Sequence, residues 1–469
     1  MSTSLRGTTE VSGLAGRQDD HRPGHEAAPP SGNGAGTSRA AEIFAEQQRH
    51  IFDCVKPLYD EPLAIAAGSG CRVKDYDGRE YLDAFAGILT TSLGHCHPAV
   101  VAAVQEQAAR VGHLSTLYVN DRQVEAARAL AEIAPGNLDR TFFLNSGTEA
   151  IETALATARL HTGRTEIIAL RQAYHGRTSM AAALTAHAPW RVLPGTVTGI
   201  THALSPYPYR APFGDVSDEE LVEIYVRDLI EVIETTTNGR PAAFIAETIQ
   251  GVGGYIVPPK GYFQRMAEII RSYGGLFIAD EVQAGFGRTG RHWFGIEHWD
   301  VVPDIMVMAK GIAGGMPVGA VTTTAEIAGS WRGKTISTFG GNPVCMAAMV
   351  ATLGVMHAED VRTRARDRGA QLRRALDRLG ARYPWIGDVR GMGLMQAIEL
   401  VEDPATKEPS PRLADKLLHA ARDEGLLIGI GGLHGHVIRL GPSLLIEEEE
   451  MDEVTACLER ACATVEAVR

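Results

Sequence analysis

Short apolar runs alternate with helix-forming stretches through the middle of the chain. The runs at 141–144, 167–170, 242–246, 276–279 and 305–308 are almost entirely hydrophobic, and each has the length of a strand. A strand that is apolar at every position is buried on both faces, as in a mostly parallel sheet covered by helices. The pattern therefore predicts an α/β domain, in which ligands bind beyond the carboxyl ends of the strands.

The pattern is different before and after this region. Residues 71–83 contain Asp77-Gly78 and predict a hairpin closed by a two-residue turn. A helix is predicted at 99–111, with Pro98 at its start, where a missing N–H does no harm. After about residue 350 an α+β unit is predicted, with helices at 360–379 and 411–424 and strands at 393–399 and 437–440.

Composition and charge exclude several classes of protein. The chain has 469 residues, of which 45% are hydrophobic and 22% charged, as in ordinary globular proteins. A net charge of −12 argues against nucleic-acid binding, and no apolar run is long enough to span a membrane. The six cysteines form neither a zinc-site pattern nor a disulfide framework, and no secretory h-region is present. We expect a cytoplasmic protein without a metal site.

Polar residues follow the first of these strands. Ser146 and Glu149 have the spacing of a capping box at a helix start. The N–H groups of Gly147 and Thr148 could also bind an anion, helped by the helix dipole and by the two hydroxyl groups. An ordinary helix cap is the alternative interpretation.

Other polar side chains follow the next three strands. Tyr174 could stack on a flat heteroaromatic ring or simply pack in a loop, and the lone His175 is equally weak as a signal. Glu247 could belong to a site or form an ion pair with Arg177. Asp280 could keep a pyridine nitrogen protonated, or it could cap a helix.

A lysine and an arginine occupy positions where a charge is costly to bury. Lys310 comes directly after an apolar strand, where burial would make its amine neutral and nucleophilic, although a snorkelling lysine is the alternative. Arg439 lies within a short apolar strand, which suggests a carboxylate ligand or a structural salt bridge. Thr338, in a glycine-bearing turn, could donate to a phosphate.

Taken in order, these segments resemble the class III aminotransferases, which depend on pyridoxal 5′-phosphate (PLP) and have fold-type I. The resemblance covers about residues 45 to 469 and rests on NSGTEA at 145–150, AYHGRT at 173–178, ETIQG at 247–251, ADEVQAGFGRTG at 279–290, AKG at 309–311, STFGGNP at 337–343 and IRLGP at 438–442.

The resemblance implies a role for each candidate residue. Lys310 would be the Schiff-base lysine, Asp280 the partner of the pyridine nitrogen, and Gln283 a neighbour of the ring hydroxyl. The remaining cofactor-binding residues would be Ser146, Gly147 and Thr148 at the phosphate, Val282 and Tyr174 on the two ring faces, and Glu247. Thr338 would reach the phosphate of a second subunit, so a homodimer is implied. Arg439 would bind the substrate carboxylate.

Within the family, residues 86–98 look most like the alanine–glyoxylate aminotransferase 2 group. The 4-aminobutyrate and ornithine enzymes usually read EPIQGE where this chain has Thr248 and Val252, and they thus carry a glutamate that pairs with the matching arginine. Ile88 stands where ornithine-type enzymes have a tyrosine. Both departures favour a small 2-oxo acid, pyruvate or glyoxylate, as the amino acceptor.

The expected function is therefore ping-pong transamination between an amino acid or amine and a 2-oxo acid. A 4-aminobutyrate or ornithine-type enzyme that uses 2-oxoglutarate, another PLP chemistry and a non-catalytic relative are the alternatives. A nicotinamide-dependent oxidoreductase is disfavoured because GxGxxG is absent after the first strand.

Four segments are expected. Residues 1–38 would be a disordered tail, because their Gly-, Ser- and Pro-rich composition cannot offset the entropy of ordering. Residues 39–97 would be the N-terminal segment of a small domain. Residues 98–350 would form the large PLP-binding domain, and residues 351–469 the C-terminal small domain.

Overall fold

The computed structural model describes residues 38–192, 197–214 and 216–469. The predicted tail thus lies outside the described residues, except for Ser38, which caps the first helix. The strands are β1 Ile65–Ser69, β2 Arg72–Asp75, β3 Glu80–Asp83, β4 Arg140–Leu144, β5 Ile167–Leu170, β6 Ile200–Ala203, β7 Ala243–Glu247, β8 Leu276–Asp280, β9 Ile305–Met308, β10 Gly319–Thr323, β11 Ile386–Met392, β12 Met395–Leu400, β13 Leu426–Leu427, β14 Gly429–Gly431 and β15 Val437–Leu440.

Helices account for much of the rest of these ranges. The α-helices are α1 Arg39–His50, α2 Ala86–Leu89, α3 Pro98–Arg110, α4 Asp121–Ile133, α5 Gly147–Thr162, α6 Ser179–Leu184, α7 Asp218–Thr236, α8 Tyr262–Ser272, α9 Ala325–Ala328, α10 Pro343–Ala358, α11 Val361–Arg382, α12 Pro411–Asp423 and α13 Glu448–Ala467. Short 3₁₀ helices occur at Ala188–Trp190, Pro208–Arg210, Gly295–Trp299 and Lys310–Ala313. The predicted start of α3 is confirmed, with Pro98 as its first residue.

A seven-stranded sheet forms the centre of the fold. Its strand order is β4-β10-β9-β8-β7-β5-β6. Only β10 is antiparallel to its neighbours, β4 and β9. The strands β5, β7, β8 and β9 are buried at almost every position. The predicted mostly parallel α/β sheet is therefore confirmed, and the ends of β4, β5, β7, β8 and β9 share one edge.

Two smaller sheets are formed by strands that come before and after the central sheet in the sequence. The first has the order β1-β2-β3-β13, so strands from both ends of the chain share it. The second, β11-β12-β15-β14, is antiparallel throughout. The predicted strand at 393–399 corresponds to β12, but Gly393 lies outside it, in a left-handed conformation with φ +53° between β11 and β12.

The predicted hairpin forms, but its turn is longer than two residues. The Asp75 N–H donates to the Arg79 carbonyl at 3.0 Å, so residues 76–78 lie in the loop. Gly78 has φ +85°, which glycine adopts without a steric penalty. The Asp75 carboxylate also accepts from the N–H groups of Asp77 and Arg79 and closes the loop from inside.

No single helix of the described residues is long and apolar enough to cross a membrane. The helices α10 and α11 would be long and apolar enough only if taken together, and a bend of 66° separates them. Eight residues of α10 are buried in the protein interior, where it packs against α3 and α4.

Candidate active site

The carboxyl ends of the central strands open into a cavity of about 330 Å³. This volume lies in the range of small-molecule sites. Three predicted residues, Ile88, Thr338 and Arg439, do not line the cavity. The predicted residues that do are Ser146, Gly147, Thr148, Tyr174, Glu247, Asp280, Val282, Gln283 and Lys310.

Lys310 reaches the cavity from the end of β9, which is completely buried. Burial is the main cause that lowers the pKa of Lys310 to about 8; Arg439 acts in the same direction, whereas Glu247 and Asp280 oppose it. A larger fraction of the amine is therefore neutral near pH 7 than in an exposed lysine. A neutral amine is a nucleophile and a base.

Asp280 is the last residue of β8 and is almost fully buried. One carboxylate oxygen is hydrogen-bonded to Nδ1 of His175 at 2.7 Å, and the other accepts from the N–H of Val282 at 3.1 Å. Burial lowers the pKa of His175, but the bond to Asp280 outweighs this effect and leaves the pKa above its ordinary value. The two hydrogen bonds therefore fix the Asp280 carboxylate at the wall of the cavity.

His175 is the site residue that sequence reasoning undervalued. Its side chain is completely buried, and its backbone N–H donates to the Thr185 hydroxyl at 3.0 Å, which fixes the ring position. The only sequence signal was its place beside Tyr174. His175 and Asp280 are 105 positions apart in the sequence, so no local pattern reveals the contact.

Glu247, the last residue of β7, forms hydrogen bonds with backbone N–H groups and no ion pair within the described residues. Its two carboxylate oxygens accept from the N–H groups of Tyr174 at 2.9 Å and Gly251 at 2.8 Å. Burial raises the pKa of Glu247 to about 7. The suggested ion pair with Arg177 is absent from the described residues, and Arg177 is exposed.

The N-terminus of α5 points its free donors into the cavity. The Ser146 hydroxyl accepts from the Glu149 N–H at 3.3 Å, as predicted. The Glu149 carboxylate, however, accepts from the N–H and side-chain amide of Asn145, so the reciprocal half of the capping box is shifted by one residue. Gly147 lies close to Val282, because an added Cβ would be 3.4 Å from its Cγ1.

The hydroxyl of Thr148 is already engaged within the protein. It lies 2.9 Å from the Thr178 hydroxyl, which donates to Glu152 at 2.6 Å. Since the single proton of Thr178 goes to Glu152, Thr148 must donate to Thr178. The suggested donation from this hydroxyl to an anion is therefore not available in this arrangement, whereas the Thr148 N–H lies in the first turn of α5, where backbone donors are free.

Aromatic and amide groups complete the wall. Tyr174 is in edge contact with Trp190, with 6.2 Å between the ring centroids. Gln283 packs on the backbone of Gly251, where an added Cβ would lie within 3 Å of its amide. The buried Oε1 of Gln283 has no partner in the described part of the chain, so it can accept a hydrogen bond.

Arg439 lies behind this wall, in β15. Its guanidinium donates to the carbonyls of Ile430 at 2.7 Å and Gly251 at 3.3 Å, and it lies 5.0 Å from the Phe85 ring. Burial lowers its pKa. Among residues 38–192, 197–214 and 216–469 no carboxylate pairs with it, so a buried cation is left for an anionic ligand.

The other two predicted residues lie at exposed positions. Ile88 is 45% exposed at the tip of α2. Thr338 is exposed between Ile336 and Phe339, each 61% exposed. Within one chain neither residue touches the cavity wall.

Known proteins are similar to this chain in sequence and in fold over most of their length. The family model of the class-III aminotransferases matches residues 56–462. The chain is 42% identical over 411 residues to alanine–glyoxylate aminotransferase 2 homolog 2, mitochondrial, of Arabidopsis thaliana, covering 87% of this chain and 85% of that protein. It is 39% identical over 396 residues to an acetylornithine aminotransferase of Methanopyrus kandleri, covering 84% and 93%.

A solved structure gives the same picture. The (S)-enantioselective omega-transaminase from Thermomicrobium roseum has a TM-score of 0.85 and 36% sequence identity, and the match covers 92% of this chain and 100% of that one. The cavity residues all lie inside the region matched by the family model.

Proposed function

Since this chain belongs to the class-III aminotransferases, which are PLP-dependent enzymes, we propose that it aminates a small 2-oxo acid, pyruvate or glyoxylate, at the expense of an amino acid or amine. The predicted family, the fold-type I architecture, the aminotransferase activity and the dependence on PLP are confirmed by the family match and the transaminase structure. The choice of substrates and the role of each residue are the proposal.

The residues around the cavity fit PLP group by group. The N–H groups at the start of α5 suit its phosphate, and the anionic Asp280 suits its pyridine nitrogen. The free Oε1 of Gln283 suits the ring hydroxyl, and the Lys310 amine suits the aldehyde. When bound, PLP supplies an electron sink for the carbon that bears the substrate amine.

The protein's own groups then move the proton. Asp280, held by His175, keeps the proton on the pyridine nitrogen. Nζ of Lys310 would take the proton from the carbon that bears the amine and deliver it to the carbon of the PLP aldehyde group, acting first as base and then as acid. Glu247 fixes the backbone of Tyr174, so the tyrosine ring stays over its side of the cavity. The same groups serve both half-reactions of a ping-pong cycle.

The single observation that carries the substrate proposal is the buried Arg439, to which the described part of the chain offers no acidic partner. Val252, where related ornithine-type enzymes have a glutamate, offers only its carbonyl, which accepts from the Gly432 N–H at 2.8 Å. A small carboxylate would supply the missing charge, and Ile88 and Leu89 leave the neighbouring surface apolar. The relative named for alanine and glyoxylate supports the same choice.

A donor and acceptor panel tests the proposal. Alanine, β-alanine, 4-aminobutyrate, ornithine and glutamate should be compared as donors, each with pyruvate, glyoxylate and 2-oxoglutarate. We expect turnover with pyruvate or glyoxylate, and its loss in Arg439→Ala. The rival is an omega-aminotransferase, which the acetylornithine relative favours. Preference for 4-aminobutyrate or ornithine with 2-oxoglutarate, unchanged by Arg439→Ala, would establish the rival.

A homodimer is part of the proposal. Exposed apolar residues form two adjacent segments, at 117–119 and 336–339, with Val119 93% exposed. The amide of Asn120, next to the first segment, donates to the Gly341 carbonyl at 3.4 Å, and that of Asn342 donates to the Gly112 carbonyl at 3.0 Å, so the two segments lie close together. Surfaces of this kind mark protein interfaces. A second copy would bury them and bring Thr338 toward a neighbouring cavity.

We also propose a cytoplasmic location. All six cysteines fall within the described residues and are free. Unpaired cysteines in both buried and exposed positions suit a reducing compartment.

A further inference from the structure

The segment α2 is a single left-handed helical turn. Its four residues have φ values of +48°, +57°, +63° and +60°. Hydrogen bonds of the helical type close it, from Leu89 N–H to Phe85 carbonyl at 2.9 Å and from Thr90 N–H to Ala86 carbonyl at 2.8 Å. Only Gly87 adopts this conformation easily, and the β-branched Ile88 is among the least suited residues. Other contacts must therefore hold the turn.

Asp83, the last residue of β3, is at the centre of these contacts. Its Oδ1 accepts from the N–H groups of Phe85 at 2.9 Å and Ala86 at 2.8 Å. Its Oδ2 is hydrogen-bonded to Nε2 of His95 at 2.8 Å. The carboxylate is buried, where such charged hydrogen bonds are strongest.

The turn connects Asp83 to both halves of the substrate site. The Phe85 ring lies 5.0 Å from the guanidinium of Arg439. Leu89 packs against Gly441, where an added Cβ would be 2.9 Å from Leu89 Cδ1. Thr90, directly after the turn, lines the same cavity as Lys310. Any change in the turn should therefore move both the surroundings of Arg439 and the cavity wall at Thr90.

We propose that Asp83 is a positioning residue for the substrate: its carboxylate holds the left-handed turn, and the turn sets Phe85 against Arg439 and Thr90 at the cavity wall. The inference rests on the proposed function, in which Arg439 binds the substrate carboxylate. Asp83 itself touches neither substrate nor cofactor.

The chain contains a matched control in Asp75. This aspartate is also buried in the same small sheet, and its Oδ1 likewise accepts two backbone N–H groups, from Asp77 at 3.0 Å and Arg79 at 2.9 Å. Its Oδ2 accepts from the Tyr81 hydroxyl at 3.0 Å. The turn that it holds is the outer hairpin at 76–78, which does not line the cavity.

The experiment compares Asp83→Ala with Asp75→Ala in the PLP-loaded enzyme. Both should lower Tm, because each loses buried hydrogen bonds. Only Asp83→Ala should raise the KM of the best amino donor and of the 2-oxo acid, by about tenfold, with a smaller change in kcat. The cofactor content and visible absorbance should stay the same. Equal KM values for the two variants would overturn the proposal.

Two further variants separate positioning from general damage. Asp83→Asn keeps an oxygen acceptor for the N–H groups of Phe85 and Ala86, so its KM should stay within about threefold of the unmodified enzyme. Adding Ala86→Gly to Asp83→Ala should bring KM part of the way back toward that of the unmodified enzyme, because glycine adopts the left-handed conformation without the hydrogen bonds to Asp83. No recovery in either variant would also overturn the proposal.

The outcome can be separated from that of the proposed function. The comparison uses whichever donor and acceptor the panel identifies, so an unexpected substrate leaves the Asp83 test intact. If neither donor nor acceptor depends on Arg439, the substrate proposal fails, whereas a KM effect in Asp83→Ala alone still identifies the positioning role.

Discussion

Burial gives single side chains in the cavity protonation properties that they would not have in water. It lowers the pKa of Lys310 to about 8 and raises that of Glu247 to about 7. The Asp280 carboxylate is fixed in place by its hydrogen bonds with His175 and the Val282 N–H. A lysine that is easily neutral near a carboxylate fixed in place is the combination that proton transfer at a carbon needs.

Replacing Asp280 should therefore stop catalysis without unfolding the protein. In Asp280→Asn the amide carries no charge to keep the pyridine nitrogen protonated. Losing about 3 kcal/mol of this stabilisation would lower kcat roughly a hundredfold. Asp228→Asn is the control, because Asp228 accepts a backbone N–H from Leu204 far from the cavity. Steady-state rates and Tm should be measured for both variants. A near-normal kcat in Asp280→Asn would show that Asp280 does not hold the proton on the pyridine nitrogen.

Val252 should determine how free Arg439 is to bind a carboxylate. The Val252 carbonyl already lies beside the segment that contacts Arg439, at Gly431 and Gly432. In Val252→Glu the new carboxylate should pair with the guanidinium and raise the KM of pyruvate or glyoxylate at least about tenfold. Val252→Gln has the same size without the charge and should have a smaller effect. Equal KM values in the two variants would argue against a free Arg439.

Strand ends and helix starts carry most of the site, and these are the elements that local sequence patterns predict. The apolar runs placed β5, β8 and β9 within a residue of their bounds, and with them Asp280 and Lys310. The strands β6 and β10 were missed because Ile200–Ala203 and Gly319–Thr323 mix small and polar residues. The left-handed α2 was missed because tertiary contacts, not local preference, impose it.

The start of α5 should bind the phosphate chiefly through Ser146 and the free backbone N–H groups. Ser146→Ala removes a helix cap, costing about 1 kcal/mol of stability, and also removes a hydroxyl from the cavity. PLP affinity should fall about tenfold. Ser217→Ala removes a similar cap from α7, with a 3.2 Å bond to the Glu220 N–H, away from the cavity. If titration with PLP gives the same affinity for both variants, the start of α5 is not the phosphate site.

Strands from both ends of the chain meet in one sheet, since β3 pairs in parallel with β13. This pairing supports our proposal that residues 39–97 and 351–469 form one small domain beside a large domain at 98–350. In this proposal Arg439 would lie in the small domain and Lys310 in the large one. A substrate would thus bridge the two parts of the molecule.

Dimer formation should be required for activity. Phe339→Asp places a charge on an exposed apolar surface, so the single chain should still fold, but the dimer should dissociate and activity should fall with it. Val468→Asp changes an equally exposed residue, 60%, outside this surface and should leave the dimer intact. Sedimentation velocity at several concentrations, with activity assays, gives the answer. A fully active monomer is incompatible with the proposed assembly.

The attachment of the cofactor to Lys310 is the most direct test of the whole account. The purified enzyme should be reduced with borohydride, digested and examined by mass spectrometry. The chain has seven lysines, Lys56, Lys74, Lys260, Lys310, Lys334, Lys407 and Lys416, so the site of attachment is a clear choice. We expect a pyridoxyl group on Lys310 alone, and none in Lys310→Ala. A pyridoxyl group on a different lysine, or labelling that persists in Lys310→Ala, would contradict the account.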